Sequence, residues 1–502
     1  MRPENKVRVS LADIASELGC ANLPDGIVTG VSADNRTIQP GDLFIASRGR
    51  TVHAASFACS AIAAGAAAIL TDAQGAELIN NEMLGAEAPV SVPLLVVEDP
   101  AAVAGQVASH VYGNPAAQLT TFGVTGTNGK TSTVYMIDYL LRQLGRRTGL
   151  IGTVSVTIGG EAVPAALTTP QPVDLQGMLG VLVERSGSDL VMEVSSHALD
   201  QKRTDPLRFD VVGFTNLTQD HLDYHETLNE YFNAKASLFD PQRSVRGVVI
   251  VDDDAGARLY EEAAERRPGA IVSLSLSGRA ADWTVSYDDQ QFTVEGSRGV
   301  LTTHTDLPGH FNVANAALAL VMVIESGVDP DVLAEAIAQG GVSPVIPGRM
   351  EVVSERPYVV VDFAHNTDAL EKAMLAVKCV RPGRLIVVTG SAGDRDRGKR
   401  PMMARAVADH ADHLIVTDDD PHSEDPAQIR REVIAGIPEG FSWQEIADRA
   451  EAIRTAIRDA HEEDVVLVAG RGHETIQDVA GEAIEIDDRM VAREALGMAE
   501  ET

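Results

Sequence analysis

Eight residues from Thr125 to Ser132, TGTNGKTS, have the composition of a loop that holds phosphate. Within Gly123–Thr133 (GVTGTNGKTST) the glycines let backbone N–H groups curl around anionic oxygens, and a following helix N-terminus adds a positive partial charge. Lys130 has the reach for terminal phosphates, and the hydroxyl of Thr131 or Ser132 can ligate Mg2+. The spacing is not the strict G-x-x-x-x-G-K-[ST], because Val124 stands where the first glycine would be. An apolar strand pattern before the loop and a helix pattern after it argue against a plain glycine-rich turn. A phosphate loop alone admits a kinase, a GTPase or a ligase, and no guanine-reading N-K-x-D follows at a suitable position.

Further acid, imidazole and amine groups fall near predicted strand ends. Glu193 closes the apolar run in LVMEVSSHALD, where a carboxylate suits a direct or indirect Mg2+ contact. Asp220, His221 and Asp223 crowd the segment TNLTQDHLDYH. Lys235 sits among apolar neighbours in YFNAKASLF, and taken alone it reads as a lysine laid along apolar surface.

The elements that must position these groups fall into three regions. Residues 1–115 contain a helix pattern at Leu11–Leu18, a Pro-Gly turn, a strand at Asp42–Ala46, then helix and strand again, which is a small α/β domain. The turn residues of Tyr112–Gln118 mark its end. Residues 116–342 open with a strand (Leu119–Val124), the phosphate loop and a helix to about Leu144. Strands at Leu190–Val194, Val211–Thr215 and Gly247–Val251 follow, predicting a doubly wound parallel sheet with ligands at the strand carboxyl ends. Residues 343–502 alternate strands (Tyr358–Asp362, Leu385–Gly390, His413–Thr417, Val465–Ala469) with helices, a second, Rossmann-like α/β unit.

Composition narrows the class. A net charge of −32 argues against a general nucleic-acid binder, which needs clustered Lys and Arg. The three cysteines, Cys20, Cys59 and Cys379, are widely spaced and suggest neither a disulfide framework nor a zinc site. The first residues have no apolar stretch long enough for a signal peptide, and the run Ala58–Leu70 is shorter than the ~20 residues of a membrane span. A cytoplasmic enzyme with small-molecule substrates, no nucleic-acid or membrane partner and a monomeric state is the expectation.

Motif order supplies more than any single motif. TGTNGKTS, MEVSSHAL, Gln201-x-Arg203, TNLTQDHLDYH, FNAKASLF, PGHFNVANAALA, PGRME, DFAHNTDAL and GSAGDRDRGKRPMM follow one another in a chain that resembles the Mur ligases. AGDRDRGKRP, then TDDDPHSEDP, then AGRGHETIQ resemble the branch that adds the third residue of the peptidoglycan stem, the UDP-N-acetylmuramoyl-L-alanyl-D-glutamate:amino-acid ligases. The resemblance covers nearly the whole chain, more loosely over the first 110 residues.

The resemblance implies three domains: a UDP-binding domain at 1–115, an ATP-binding ligase domain at 116–342 and an amino-acid-binding domain at 343–502. It implies ATP held by Thr125, Gly126, Thr127, Asn128, Gly129, Lys130, Thr131 and Ser132, with Mg2+ at Thr131, Glu193 and His221. A lysine matching Lys235 is carbamylated in the family, which turns a cation into an oxygen ligand. His310, Asn312 and Asn315 match a segment near the adenine, and Arg349 and Asp362 match positions that close on the nucleotide. For the UDP-sugar dipeptide the matches are Thr168, Thr169, Ser195, Gln201, Arg203 and the loop Arg50, Thr51 and Val52. The family's D-S-R reads Asp34-Asn35-Arg36 here, with Asn35 able to donate and accept in place of Ser. Two further departures are a replaced Asn near Ile250 and Asn366-Thr367 where Thr-Pro is usual. The implied reaction phosphorylates the D-glutamate carboxylate to an acyl phosphate, which the α-amine of the incoming amino acid attacks.

The added amino acid is the open point. The diaminopimelate-adding branch carries Asp-Asn-Pro-Arg, its Arg forking onto the distal carboxylate. Here the segment is Asp419-Asp420-Pro421-His422, so the clamp is missing and an acid is gained. That favours a distal ammonium, hence L-lysine with L-ornithine next. Arg395, Gly470 and Glu474 match positions touching the added residue, and Arg471 for the usual Lys reads as neutral. The alternatives are a meso-diaminopimelate-adding ligase of the same family, the ligase adding D-Ala-D-Ala, folylpolyglutamate synthase, or, in another class, a P-loop kinase or ATPase.

Overall fold

A computed structural model describes residues 1–498 except Lys6, Ala21, Leu23, Arg50, 85–91, Ala165, Ala166, 221–223 and Cys379. Two compact units form: Met1–Gly123 with Gly145–Val212 and Ser237–Arg246, and Val124–Leu144 with Gly213–Ala236 and Gly247–Thr502.

In the first unit a four-stranded parallel sheet runs Gly30–Ser32, Asp42–Ala46, Ala68–Thr71 and Leu94–Val96 in sequential order. Phe44 and Ile69 face one apolar cluster while Leu43, Ile45 and Leu70 face another, the period-two alternation of a strand covered on both sides. The helix Pro100–Val111 begins under an Asp99 side-chain cap and packs on the helix Pro172–Glu184. Gly105 is required there, since a Cβ would stand 2.0 Å from Asp205 O. The strands Thr148–Ile151 and Asp189–Glu193 pair in parallel, so Glu193 emerges at a carboxyl end.

In the second unit the helix Lys130–Gln143 packs on His310–Glu325. The latter is apolar nearly all round and buried from Val313 to Glu325 except Ala314, as a helix inside a core must be. The strand Ile271–Ser275 pairs in parallel with Gly247–Ile250. Beyond it lie three strands the sequence reading did not foresee, Trp283–Asp288, Gln291–Gly296 and Gly299–His304, the last two pairs antiparallel. Trp283, Val285, Phe292 and Val294 are buried between polar neighbours, and Leu301 is buried beside the exposed Val300, so each strand has one covered face that exists only once its register is set.

The same unit holds a six-stranded sheet in the order Glu351–Glu355, Tyr358–Asp362, Val465–Ala469, Leu385–Thr389, His413–Val416, Trp443–Glu445. Its first pair is antiparallel and the rest are parallel. Val360, Leu467, Val387 and Leu414 pack on one face, and Val361, Val466, Val388 and Ile415 on the other. That is the second, Rossmann-like α/β unit expected of residues 343–502, and its carboxyl ends carry Asp362, Gly390, Thr417 and Gly470. A hairpin, Ile476–Val479 with Glu482–Glu485, follows the last parallel strand. Among the described residues no helix is long and apolar enough to cross a membrane.

Candidate functional site

The phosphate loop turns at Gly126 and Gly129, whose φ angles of 148° and 86° suit glycine. Packing adds a second reason. A Cβ on Gly126 would stand 1.9 Å from Thr215 Oγ1, and one on Gly129 would stand 2.4 Å from Asn315 Oδ1. Thr215 Oγ1 donates to Asn128 O at 2.6 Å, and Asn128 N donates to Asn216 Oδ1 at 3.0 Å, so the loop is held from outside. Helix Lys130–Gln143 starts at Gly129 with no side-chain cap among the described residues, which leaves its N-terminal dipole facing the loop. Lys130 Nζ donates to the carbonyls of Gly126 (3.0 Å) and Thr127 (2.8 Å). Thr131 and Ser132 are buried in the first turn, and Thr127 Oγ1 meets Tyr231 OH at 3.3 Å.

Lys235 is fully enclosed rather than laid along the surface. It lies near the end of helix Leu228–Ala236, its Nζ donating to Gly126 O at 2.6 Å and standing 4.3 Å from the Tyr231 ring centroid. Burial and the nearby Lys130 charge push its ammonium well below the usual lysine range, against the pull of Asp220. An ammonium so disfavoured gives up its proton more readily than an exposed lysine, and the free amine is the form that CO2 requires, so the residue suits a carbamate and thereby an oxygen ligand for a divalent ion. The expected metal ligand His221 and its neighbour Asp223 lie outside the described residues. Among the described residues no group of three or more His, Cys, Asp or Glu could hold a metal. Thr131 and Lys235 belong to the second unit, and Glu193 belongs to the first.

Beside the loop a cavity of about 300 Å³ opens between residues of the second unit, including Asn128, Ser132, Asn315, Arg349 and Asp362. Arg349 lays its guanidinium 4.2 Å over the Phe363 ring. Asp362 accepts from Met350 N (2.7 Å) and Ala364 N (2.9 Å), and burial raises its carboxyl above the usual range although Arg349 opposes this. Asn312 instead lies inside its helix end, donating to Pro308 O at 2.8 Å. His310 lines a neighbouring cavity of about 660 Å³, edge-on to Tyr287 with centroids 5.0 Å apart. Lys372, Asp252 and His365 also line these walls and were missed from sequence. His365 stands 3.8 Å from Asp220, and burial lowers its pKa. The signal for His365 was the motif DFAHNTDAL and for Asp252 the aspartates after Val251, while Lys372 lies two residues past that motif.

In the first unit Glu193 accepts from Thr153 N (2.7 Å) and Thr153 Oγ1 (3.2 Å), and Thr153 Oγ1 also reaches Thr168 Oγ1 at 3.1 Å. Thr169 is buried, donating to Glu193 O at 2.9 Å. Ser195 caps the helix Ser196–Asp200, and Arg203 donates to Thr169 O at 3.2 Å and to Gln201 Oε1 at 2.6 Å. Five expected substrate residues therefore converge around one strand end. Gln201 also lines a cavity of about 520 Å³ with Ser32, Asp34, Ser47 and Tyr112. Asn35 is turned to Ser60 at 3.3 Å, and Arg36 folds back on Asp34 at 2.6 Å. Thr51 and Val52 form an exposed turn that Gly49 N closes on Val52 O at 3.0 Å, while Arg50 lies outside the described residues.

The last cluster corrects two expectations. Asp420 is not an open acid: it pairs with Arg471, whose side chain is fully buried. Arg471 is therefore not a neutral replacement but the internal partner of the gained acid. His422 has φ 47° and gives Nδ1 to Asp478 at 3.1 Å, tied to the hairpin, with Pro421 buried before it. Asp419 is buried beneath Gly470, where a Cβ would stand 2.6 Å from its Oδ2. Burial, Asp419 and Asp420 push the Glu474 carboxyl up to about 8, against Arg471 and Arg449. Arg395 is exposed on the loop after Gly390.

Three family comparisons cover this framework. Residues 27–112 match the Mur ligase family catalytic domain, 124–323 the Mur ligase middle domain, and 348–472 the Mur ligase glutamate ligase domain. The chain is 43% identical over 513 residues to the UDP-N-acetylmuramoyl-L-alanyl-D-glutamate--2,6-diaminopimelate ligase of Streptomyces coelicolor, covering 98% of each. It is 41% identical to the UDP-N-acetylmuramyl-tripeptide synthetase of Leifsonia xyli, over 99% of this chain and 97% of the relative. A solved UDP-N-acetylmuramoyl-L-alanyl-D-glutamate--2,6-diaminopimelate ligase aligns with TM-score 0.66 at 30% identity, over 98% of this chain and 99% of that one. These relatives do not carry the expectation of L-lysine. The matches span all three regions and run nearly end to end, and the chain belongs to the Mur ligase family of ATP-dependent amide ligases.

Proposed function

We propose that this chain adds the third amino acid of the peptidoglycan stem to UDP-N-acetylmuramoyl-L-alanyl-D-glutamate, and that this amino acid is meso-diaminopimelate. The carrying observation is the end-to-end likeness to relatives named for that reaction, at 43% and 42% identity. The pairing of Asp420 with Arg471 supports it, because the gained acid is already neutralised and opposes a distal carboxylate less than its sequence suggests. L-lysine, with L-ornithine beside it, is the second reading. It is favoured by one observation: His422, at the position of the clamping arginine, is engaged by Asp478.

In this reading residues 1–115 bind the UDP group, 116–342 the ATP and 343–502 the added amino acid. The loop Thr125–Ser132 and Lys130 orient the polyphosphate, with Arg349, Asp362, His310, Asn312 and Asn315 around the nucleoside. Thr168, Thr169, Ser195, Gln201 and Arg203 hold the peptidyl end, and Asn35 with Arg50, Thr51 and Val52 the uridine end. Arg395, Asp419, Asp420, Pro421, His422, Gly470 and Glu474 surround the added amino acid. The γ-phosphoryl group passes to the D-glutamate side-chain carboxylate, the incoming α-amine attacks the acyl phosphate, phosphate leaves and an amide remains. Positioning and charge neutralisation carry most of the rate in such transfers. Mg2+, when bound, supplies part of that neutralisation, and Thr131, Glu193, His221 and carbamylated Lys235 are the residues that would hold it. The enzyme acts as a cytoplasmic monomer on small molecules, without nucleic-acid or membrane partners.

The test offers purified protein, ATP, Mg2+ and the UDP-dipeptide with diaminopimelate, lysine or ornithine separately. Fastest ADP release with diaminopimelate is expected. Faster turnover with lysine would overturn the choice of amino acid, and release that needs no amino acid would overturn the ligase itself.

A further inference from the structure

His53 stands where the turn carrying Thr51 and Val52 returns to the fold. Arg48 and His53 form an antiparallel bridge, and Ala54 N donates to Ser47 O at 2.9 Å. Ser47, at the base of the turn, lines the cavity of about 520 Å³ shared with Asp34 and Gln201. The His53 side chain is turned inward and buried. Its Nδ1 accepts from Ala55 N at 3.1 Å, capping the short helix Ala54–Phe57, and its Nε2 lies 3.2 Å from each oxygen of Asp72.

These partners leave the ring one state. A backbone N–H can only donate, so Nδ1 must present its lone pair. Asp72 also accepts from Gly75 N at 2.7 Å; against the cost of burial, that bond and His53 hold its carboxyl below the usual range. An ionised carboxylate can only accept, so Nε2 must carry the proton. The neutral imidazole, with one donor and one acceptor, meets both demands. The imidazolium donates from both nitrogens and sets Nδ1–H against Ala55 N–H. Asp72 attracts the charged ring, so acid does not expel it; acid breaks the cap alone. The ring is also clamped, because a Cβ on Gly75 would stand 2.7 Å from His53 Cε1 as the helix Ala73–Leu84 begins. Asp72 is the charged group that the ring faces. Among the described side chains on the elements around it, Arg48, Cys59 and Glu77 are exposed, and Asp42 pairs with Arg2 at the opposite end of its strand.

We propose that His53 is a positioning residue for the uridine end of the substrate: its ring, fixed as one tautomer between Ala55 N–H and Asp72, anchors the turn that presents Thr51 and Val52, and a second proton on the ring releases that anchor. This rests on the functional reading above, which puts the uridine end at that turn. It goes further by naming what holds the turn and the condition under which the hold is lost. The anchor acts on affinity for the UDP-dipeptide and leaves the nucleotide loop Thr125–Ser132 alone.

The readout is the dissociation constant of the UDP-dipeptide, measured by titration calorimetry at about pH 8 and about pH 5.5, either side of the ordinary imidazole value of ~6.5. His53→Asn keeps an acceptor for Ala55 N–H and takes up no proton, so it should bind as the wild type does at the higher pH. At the lower pH the wild type should bind about fivefold more weakly than His53→Asn, the factor that a lost cap carries. His53→Ala should bind about fivefold more weakly than His53→Asn at both. Titration of the substrate itself is common to all three proteins and cancels. Should His53→Ala not fold, the wild type and His53→Asn decide. Wild type and His53→Asn weakening alike in acid, or differing as much in ATP affinity as in UDP-dipeptide affinity, would overturn the proposal. A wild-type protein that bound no UDP-dipeptide at the higher pH would end the functional reading, and the proposal with it.

Discussion

Arg400 and Glu424 meet fork to fork, Nη2 to Oε1 at 2.8 Å and Nη1 to Oε2 at 3.1 Å, with the Arg400 side chain wholly enclosed. The same carboxylate takes Asp394 N at 2.7 Å and Arg397 Nη2 at 2.8 Å. It thus ties the loop that carries Arg395 to the segment that carries Asp419–His422. Glu424→Ala leaves Arg400 with Glu432 and the Ala392 carbonyl alone. A loss of about 3 kcal/mol in unfolding free energy is expected by chemical denaturation, with a raised KM for the amino acid and little change in KM for ATP.

The Arg400 fork holds the Glu424 carboxyl down at about 2, well under its ordinary value. Its folded pKa is depressed, so its stabilisation is complete above the unfolded value near 4.5 and is lost as pH falls toward 2. Glu424→Gln should therefore flatten the pH dependence of unfolding between those values. A wild-type slope retained by the variant would place that dependence in other carboxylates.

Glu474 has the opposite sign. Its folded value of about 8 lies above the unfolded value near 4.5, so the favourable protonated form is full at low pH and its benefit is lost as pH rises through 8. Glu474→Gln should match the wild type in stability near pH 4 and exceed it at pH 9, read as the difference in melting temperature. Activity follows separately, because the amide keeps a hydrogen-bonding head but cannot ionise.

Gly126→Ala combines a φ of 148° with a Cβ 1.9 Å from Thr215 Oγ1. Such strain costs about 1–3 kcal/mol, and the loop must open to relieve it. We expect nucleotide binding, followed by calorimetry, to be lost before the fold is. A variant with unaltered ATP affinity would show that the loop geometry is not what holds phosphate.

Lys235→Ala removes the buried amine that meets Gly126 O at 2.6 Å. Activity should fall about 10²- to 10³-fold, the range seen when one electrostatic contact to a developing charge is removed. Partial recovery on adding short carboxylates would identify an anionic role for the residue, and loss without recovery would identify a positioning role for the amine.

The sequence alone carried the reading of the phosphate loop, because a strand, glycines, a lysine and a helix must be contiguous to work. It also carried the α/β alternation of the last 160 residues, since buried parallel strands are unbroken apolar runs such as Tyr358–Val361 and Val465–Ala469. The half-covered strands Trp283–Asp288, Gln291–Gly296 and Gly299–His304 stayed hidden, because their apolar face exists only once their register is set. Tertiary structure alone decided the state of the single residues. Lys235 lies in a segment equally suited to a surface lysine, and only its enclosure beside Lys130 and Tyr231 makes it an amine of lowered pKa. Asp420, part-buried, and Arg471, wholly buried, stand 51 positions apart yet form one pair, and charge compensation between distant loops has no trace in the order of residues.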